Sequence, residues 1–123
     1  MPSVRPAFSE CWISKKAMTP ARGEVWLFDL GHAAKVRPVL VISIPYGDDD
    51  RALNTIIPHT TSARGSTHEV RVDVPFLKSG AFLVQGVATY PASAKIRKLG
   101  ELRPELFALV MKGLARWLGQ MPN

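Results

Sequence analysis

Cysteine is almost absent. Cys11 stands alone in 123 residues, which excludes an internal disulfide framework and any cysteine-rich zinc site. His32, His59 and His68 are the only histidines, too few and too scattered for a histidine-built metal cluster. No run approaches the roughly 18 consecutive apolar residues of a membrane-spanning helix. The least charged stretch, residues 79–94, is broken by Gly80, Gly86 and Pro91. The opening residues carry Arg5, Glu10, Lys15 and Lys16 and lack the apolar core of a secretory signal, so the expectation is a cytoplasmic protein with no membrane partner. GxGxxG, a Walker loop and HExxH are also missing, which removes three common enzyme readings. No cofactor and no metal is expected.

What remains is an ordinary globular composition, 46% hydrophobic and 21% charged, of a size that suits one domain. Lys and Arg number 16 against 10 Asp and Glu, and the resulting charge of +6 favours a polyanionic partner such as nucleic acid. Arg5, Lys15, Lys16 and Arg22 against Glu10 place half of that charge in residues 1–22. Residues 1–21 hold three prolines and no sustained period, so they are expected to form a flexible N-terminal appendage ahead of a domain over 22–123.

Strand-like patterning begins after Gly23. Residues 24–30 (EVWLFDL) are rich in β-formers, and 38–44 (PVLVISI) is apolar enough for a central strand with Pro38 at its start. Pro45, Gly47 and the run Asp48–Asp50 make a turn, and three successive aspartates there read as a solvated connection rather than a cation site. A third strand is expected over 53–61 (LNTIIPHTT), with Pro58 marking a bulge, edge or bend. Residues 68–74 (HEVRVDV) alternate cleanly, with Val70, Val72 and Val74 on one face. Further strands are expected over 82–88 and 95–99. From Pro104 to Gly119, Leu106, Leu109, Val110, Gly113, Leu114, Trp117 and Leu118 keep the three-and-four spacing of one helical face. Short strands followed by one amphipathic helix fit a small, curled, mostly β domain whose open side the helix covers.

Candidate chemistry sits at strand ends. Arg37 enters the most apolar strand, and its planar guanidinium suits phosphate, although by itself a solvated strand-start arginine is the more ordinary reading. His59, Thr60 and Thr61 lie where the third strand meets a basic loop; the threonines can donate hydroxyls, and the histidine is either a base or a structural residue. Lys35, Arg64 and Arg97 are candidate phosphate contacts or plain surface charges. Trp26 is a core residue or a platform for an unstacked base.

The order of RGEVWLFDL (22–30), VRPVLVIS (36–43), IIPHTTSARG (56–65), HEVRV and the helix LRPELFALVMKGLARWLG (102–119) resembles the MazF/PemK-type toxins of bacterial toxin–antitoxin systems. The resemblance implies an SH3-like β-barrel with a C-terminal helix, assembled as a homodimer. It also implies metal-independent cleavage of single-stranded RNA, in which the 2'-hydroxyl attacks the adjacent phosphate to leave 2',3'-cyclic phosphate and 5'-hydroxyl ends. A cognate antitoxin with an acidic flexible segment would block the RNA groove. The family's catalytic arginine falls on Arg37 and its catalytic threonine or serine on Thr61. Beside these two, His59 is read from its position as a helper base, and Trp26, Lys35, Thr60, Arg64 and Arg97 as candidate RNA contacts. Two departures stand out: only residues 31–35 precede Val36, where the family often has a longer loop, and Gln85-Gly86 replaces a common acidic residue followed by glutamine. A CcdB-like toxin that binds a protein target without cleaving RNA, and a passive RNA-binding barrel, are the competing readings.

Overall fold

The computed structural model describes residues 19–31 and 35–120, so most of the expected appendage lies outside the described residues. Its last three residues pack on the domain. Pro20 is fully buried, and the Ala21 N–H donates to Glu24 Oε1 at 2.8 Å.

Among the described residues seven strands and one long helix follow: β1 (Glu24–Asp29), β2 (Val36–Val41), β3 (Leu53–Thr60), β4 (Glu69–Arg71), β5 (Ala81–Leu83), β6 (Ala88–Pro91), β7 (Lys95–Glu101) and α1 (Pro104–Trp117). Short 3-10 turns at Val84–Gly86 and Ala92–Ala94 flank β6. All pairings are antiparallel, in the order β4-β5-β3-β2-β1-β7, and β6 also pairs with β3.

The expected barrel is not formed. Among the described residues the sheet ends at β4 on one side and β7 on the other, and these two strands do not pair. Strand β4 has three residues, too short a ribbon to close against the seven-residue β7. Helix α1 lies against the open side instead, with Val110 and Leu114 packed among Val25, Leu40, Ile57, Phe82 and Val84. The opposite face of the β1–β2–β3 sheet carries a second cluster of Trp26, Phe28, Val39, Val41 and Ile56, flanked by Tyr90 and Ala94. Two buried faces explain why β2 reads as a nearly continuous apolar run.

Helix α1 begins as its sequence suggests, with Pro104 at the first helical position and Arg103 before it making no side-chain cap. It ends in a Schellman arrangement. Gly119 adopts φ +76°, its N–H bonds to the Arg116 carbonyl at 3.1 Å, and the Gln120 N–H reaches the Ala115 carbonyl at 2.7 Å. Glu24 ties the start of the domain to its edge strand: its carboxylate accepts from the Ala21 N–H and the Trp26 indole and pairs with Lys98 at 3.0 Å. Burial alone would raise the Glu24 pKa, but the bonds from Ala21, Trp26 and Lys98 together outweigh it and hold the group below 4.5.

Strand β3 departs from regularity at Pro58. Its first half pairs with β6 up to Ile56↔Ala88, and from His59↔Phe82 the same edge pairs with β5. The proline, which has no N–H to donate, stands at the change of partner. Pro38 obeys the same logic from inside its strand. It pairs with Leu27 of β1, but β3 joins β2 only from Val39, so β2 has a neighbour on one edge alone at that residue. The expected strand over 82–88 is split for a related reason, because a Cβ on Gly86 would stand 2.8 Å from Pro58 Cγ and the chain coils there into the 3-10 turn.

Gly80, which leads into β5, is packed more tightly still, since a Cβ there would overlap the Thr60 carbonyl and approach His59 Cε1 to 2.9 Å. Gly80→Ala is therefore expected to cost about 3 kcal/mol in urea unfolding, whereas Gly47→Ala, in ordinary contact with Asp50, should stay within about 0.5 kcal/mol.

Candidate functional site

The β2–β3 register determines which candidates meet. Val39 pairs with Pro58 and Leu40 with Ile57. Carried two residues outward, that register sets Arg37 opposite Thr60, on one face of the sheet, with Thr61 next along the chain. Arg37 also pairs with Phe28 across β1, and Phe28 pairs in turn with Lys95 of β7. One rung thus holds two cations on either side of Phe28, about 10 Å apart by strand spacing.

Thr61 is exposed, one residue beyond the end of β3. Two devices fix the chain around it. The Thr60 hydroxyl accepts the Ser62 N–H at 3.0 Å. Farther on, the Glu69 carboxylate accepts the Arg64 N–H at 2.9 and 3.0 Å and the Ser66 N–H at 2.9 Å. Gly65 between them has φ +75°, a conformation open to glycine at no steric cost, which turns successive N–H groups toward one carboxylate. A cleft of about 440 Å³ opens beside this loop, lined by Thr60, Ser62, Arg64, Ser66, Glu69, Leu83 and Gln85.

The other candidates are dispersed. His59 is only 3% exposed and, by alternation, faces away from Arg37 into the helix-side core, where its ring meets Phe82 edge-on at 5.2 Å. Burial pushes its pKa below 6.5, so the imidazole is neutral at pH 7, and Nε2 has no hydrogen-bond partner among the described residues. Trp26 is 7% exposed, inside the second core with its indole N–H on Glu24, and offers no open face for a base. Lys35 is exposed at the mouth of the β1–β2 connection with φ +56°. Arg64 is exposed on the cleft wall. Arg97 is exposed on β7 opposite Leu27, three strand positions from β3. Among the described residues no group of three or more His, Cys, Asp or Glu is placed to hold a metal ion, and no helix is long and apolar enough to cross a membrane.

Glu69 is the residue that the alternation of 68–74 conceals by assigning it to solvent. Ser66-Thr67-His68-Glu69 has the S-x-x-E spacing of a capping box, and its bond from the Ser66 N–H to Glu69 is half of that motif, here ahead of a strand. The N–H groups of Arg64 and Ser66, in that order, hold the Glu69 pKa below 4.5. The charged form is the one that organises the loop. Loop order is therefore complete above pH 4.5 and lost as pH falls through the lowered value. NMR titration should show the Arg64 and Ser66 amide signals moving with a midpoint below 4.5, and Glu69→Gln should abolish that midpoint; a midpoint at or above 4.5 would contradict the assignment.

Residues 21–118 match the family model described as PemK-like, MazF-like toxin of type II toxin-antitoxin system. Among curated proteins none matches the chain in sequence. Several solved structures share its fold. A chain of the MazE–MazF complex from Deinococcus radiodurans superposes with a TM-score of 0.71 at 23% identity, over 84% of this chain and 98% of that one. MazF of the same organism gives 0.71 at 25% identity, over 82% and 97%. An endoribonuclease in complex with its cognate antitoxin, from a mycobacterial species, gives 0.72 at 24% identity, over 85% and 99%. The family match spans most of the chain, and the protein belongs to the PemK-like, MazF-like toxins of type II toxin–antitoxin systems.

Proposed function

We propose that this toxin is an endoribonuclease that cuts single-stranded RNA without a metal, by attack of a 2'-hydroxyl on the adjacent phosphate, and that Arg37 and Thr61 carry the reaction. The observation that supports this most is the β2–β3 register, which aligns Arg37 with Thr60 on one face and leaves Thr61 at the same strand end, beside an open cleft. In the reaction the 2'-oxygen bonds to phosphorus as the bond to the 5'-oxygen breaks. The proton lost by the 2'-hydroxyl is balanced by one gained at the leaving 5'-oxygen, and negative charge gathers on the non-bridging oxygens. A guanidinium keeps its charge and its N–H donors throughout, so Arg37 stabilises that charge rather than abstracting a proton. The Thr61 hydroxyl supplies a second donor. His59, neutral and buried behind the strand, serves packing in this reading rather than proton transfer.

Lys95, on the Arg37 rung, and Arg64, on the cleft wall, are suited to the flanking phosphates. The net charge of +6 also suits an antitoxin whose acidic segment competes for the same surface. Assembled as a homodimer, the protein would present two such sites.

Incubation with mixed-sequence single-stranded RNA in excess EDTA is expected to give fragments ending in 2',3'-cyclic phosphate. Arg37→Ala and Thr61→Ala should each slow cleavage by about 100-fold or more while keeping the wild-type unfolding midpoint. Intact RNA with folded wild-type protein, with or without divalent metal, would contradict the proposal.

A further inference from the structure

We propose that the cleft beside Thr61 is a nucleobase subsite, in which Gln85 reads the hydrogen-bonding edge of one unstacked base and so sets the sequence preference of the site. The inference rests on the ribonuclease reading above, because Thr60 and Ser62 line the cleft and bracket Thr61. A base entering it would adjoin the phosphate at Thr61.

The lining has the chemistry of such a subsite. Leu83, half-buried, gives an apolar surface for a base face, and Ser62 and Ser66 add hydroxyls. Glu69 is already committed to the backbone of the loop, with three bonds from the Arg64 and Ser66 N–H groups, so it forms the wall rather than the reader. Gln85 differs from all of these. Its amide presents one acceptor and one donor side by side, the pairing that complements the adjacent groups on a base edge. Specific reading of RNA uses such edges on unstacked bases.

Gln85 is also held where a reader must be. It is exposed at the middle of the Val84–Gly86 turn, and both neighbours are anchored. Val84 is fully buried and its N–H donates to the His68 carbonyl at 3.1 Å, while Gly86 is pressed against Pro58. The backbone under the amide is therefore fixed, and little ordering remains to oppose recognition. At about 440 Å³ the cleft lies within the range of small-ligand sites.

Two readouts test this on the full chain with Gln85→Ala and Gln85→Glu. Sequencing the new 5'-hydroxyl ends from random-sequence RNA should show one base enriched about tenfold at a fixed position beside the cut. Gln85→Ala should flatten that enrichment, and Gln85→Glu, left with acceptors only, should shift it toward cytosine or adenine, whose exocyclic amines donate. Capture of a random 2'-O-methyl RNA pool, which has no nucleophile, should show the same preference without cleavage. An unselective wild type in both readouts, or a preference unchanged in Gln85→Ala, would overturn the subsite. Base-selective capture that depends on Gln85, without cleavage of ordinary RNA, would support the subsite and overturn the ribonuclease reading.

Discussion

The change of pairing partner along β3 at Pro58 is the constraint on which the rest of the site depends. Before the proline, β3 runs between β2 and β6; after it, the free edge turns to β5. That change brings the β4–β5 ribbon, the Gly80 approach and the Val84–Gly86 turn to the end of the strand that carries Thr60 and Thr61. A β3 paired with one neighbour throughout would carry Arg37 and Thr60 into an ordinary ladder with no cleft beside them. Pro58 costs no ladder bond there because the edge has no single partner at that residue.

Openness of the sheet has a function of its own. Closure would pair β4 with β7 and leave no room for α1, whose Val110 and Leu114 complete the main core. As an edge, β4 is free to send Glu69 back into the 62–67 loop rather than into a further ladder. Strand β7, the other edge, carries Lys95, Arg97 and Lys98, and such charges oppose pairing with another chain. Lys98 is tied to Glu24 and Glu101, at 3.0 and 3.8 Å, and Lys95, on the Arg37 rung, is the β7 cation that adjoins the proposed site.

Local signals in the sequence located elements well. Strand β1 starts at Glu24, β3 covers the expected stretch to within one residue, and α1 runs from Pro104 to the turn at Gly119. What depended on partners was not legible. Residues 68–74 alternate over seven positions, yet only Glu69–Arg71 pair, because β5 offers three residues to receive them. Val72 leaves the ladder and is buried all the same. The residue pattern suggested a curled sheet under a helix, which is observed; the closed barrel came from the family resemblance, and is corrected by β4 and β7, which among the described residues do not pair with each other. Within the site, Arg37 and the Thr60-Thr61 pair were legible as strand-end polar residues. The face of His59 was not, because Ile56-Ile57-Pro58 is apolar on both sides and conceals the alternation that turns the ring away from Arg37. Glu69 escaped because its role arises from folding back on residues that precede it; Gln85 stood out only as a departure from the family pattern, and its place on the cleft beside Thr60 and Ser62 comes from the fold.

Arg37, which the β2–β3 register sets opposite Thr60, and Thr61, one residue beyond the end of β3, are proposed to act on one phosphate. A double-mutant cycle measures this most directly, by comparing single-turnover cleavage for wild type, Arg37→Ala, Thr61→Ala and the double variant. Groups serving the same phosphate are coupled, so the double variant should cleave no more than about threefold more slowly than the slower single variant. Losses that simply multiply would show two independent roles and contradict the account.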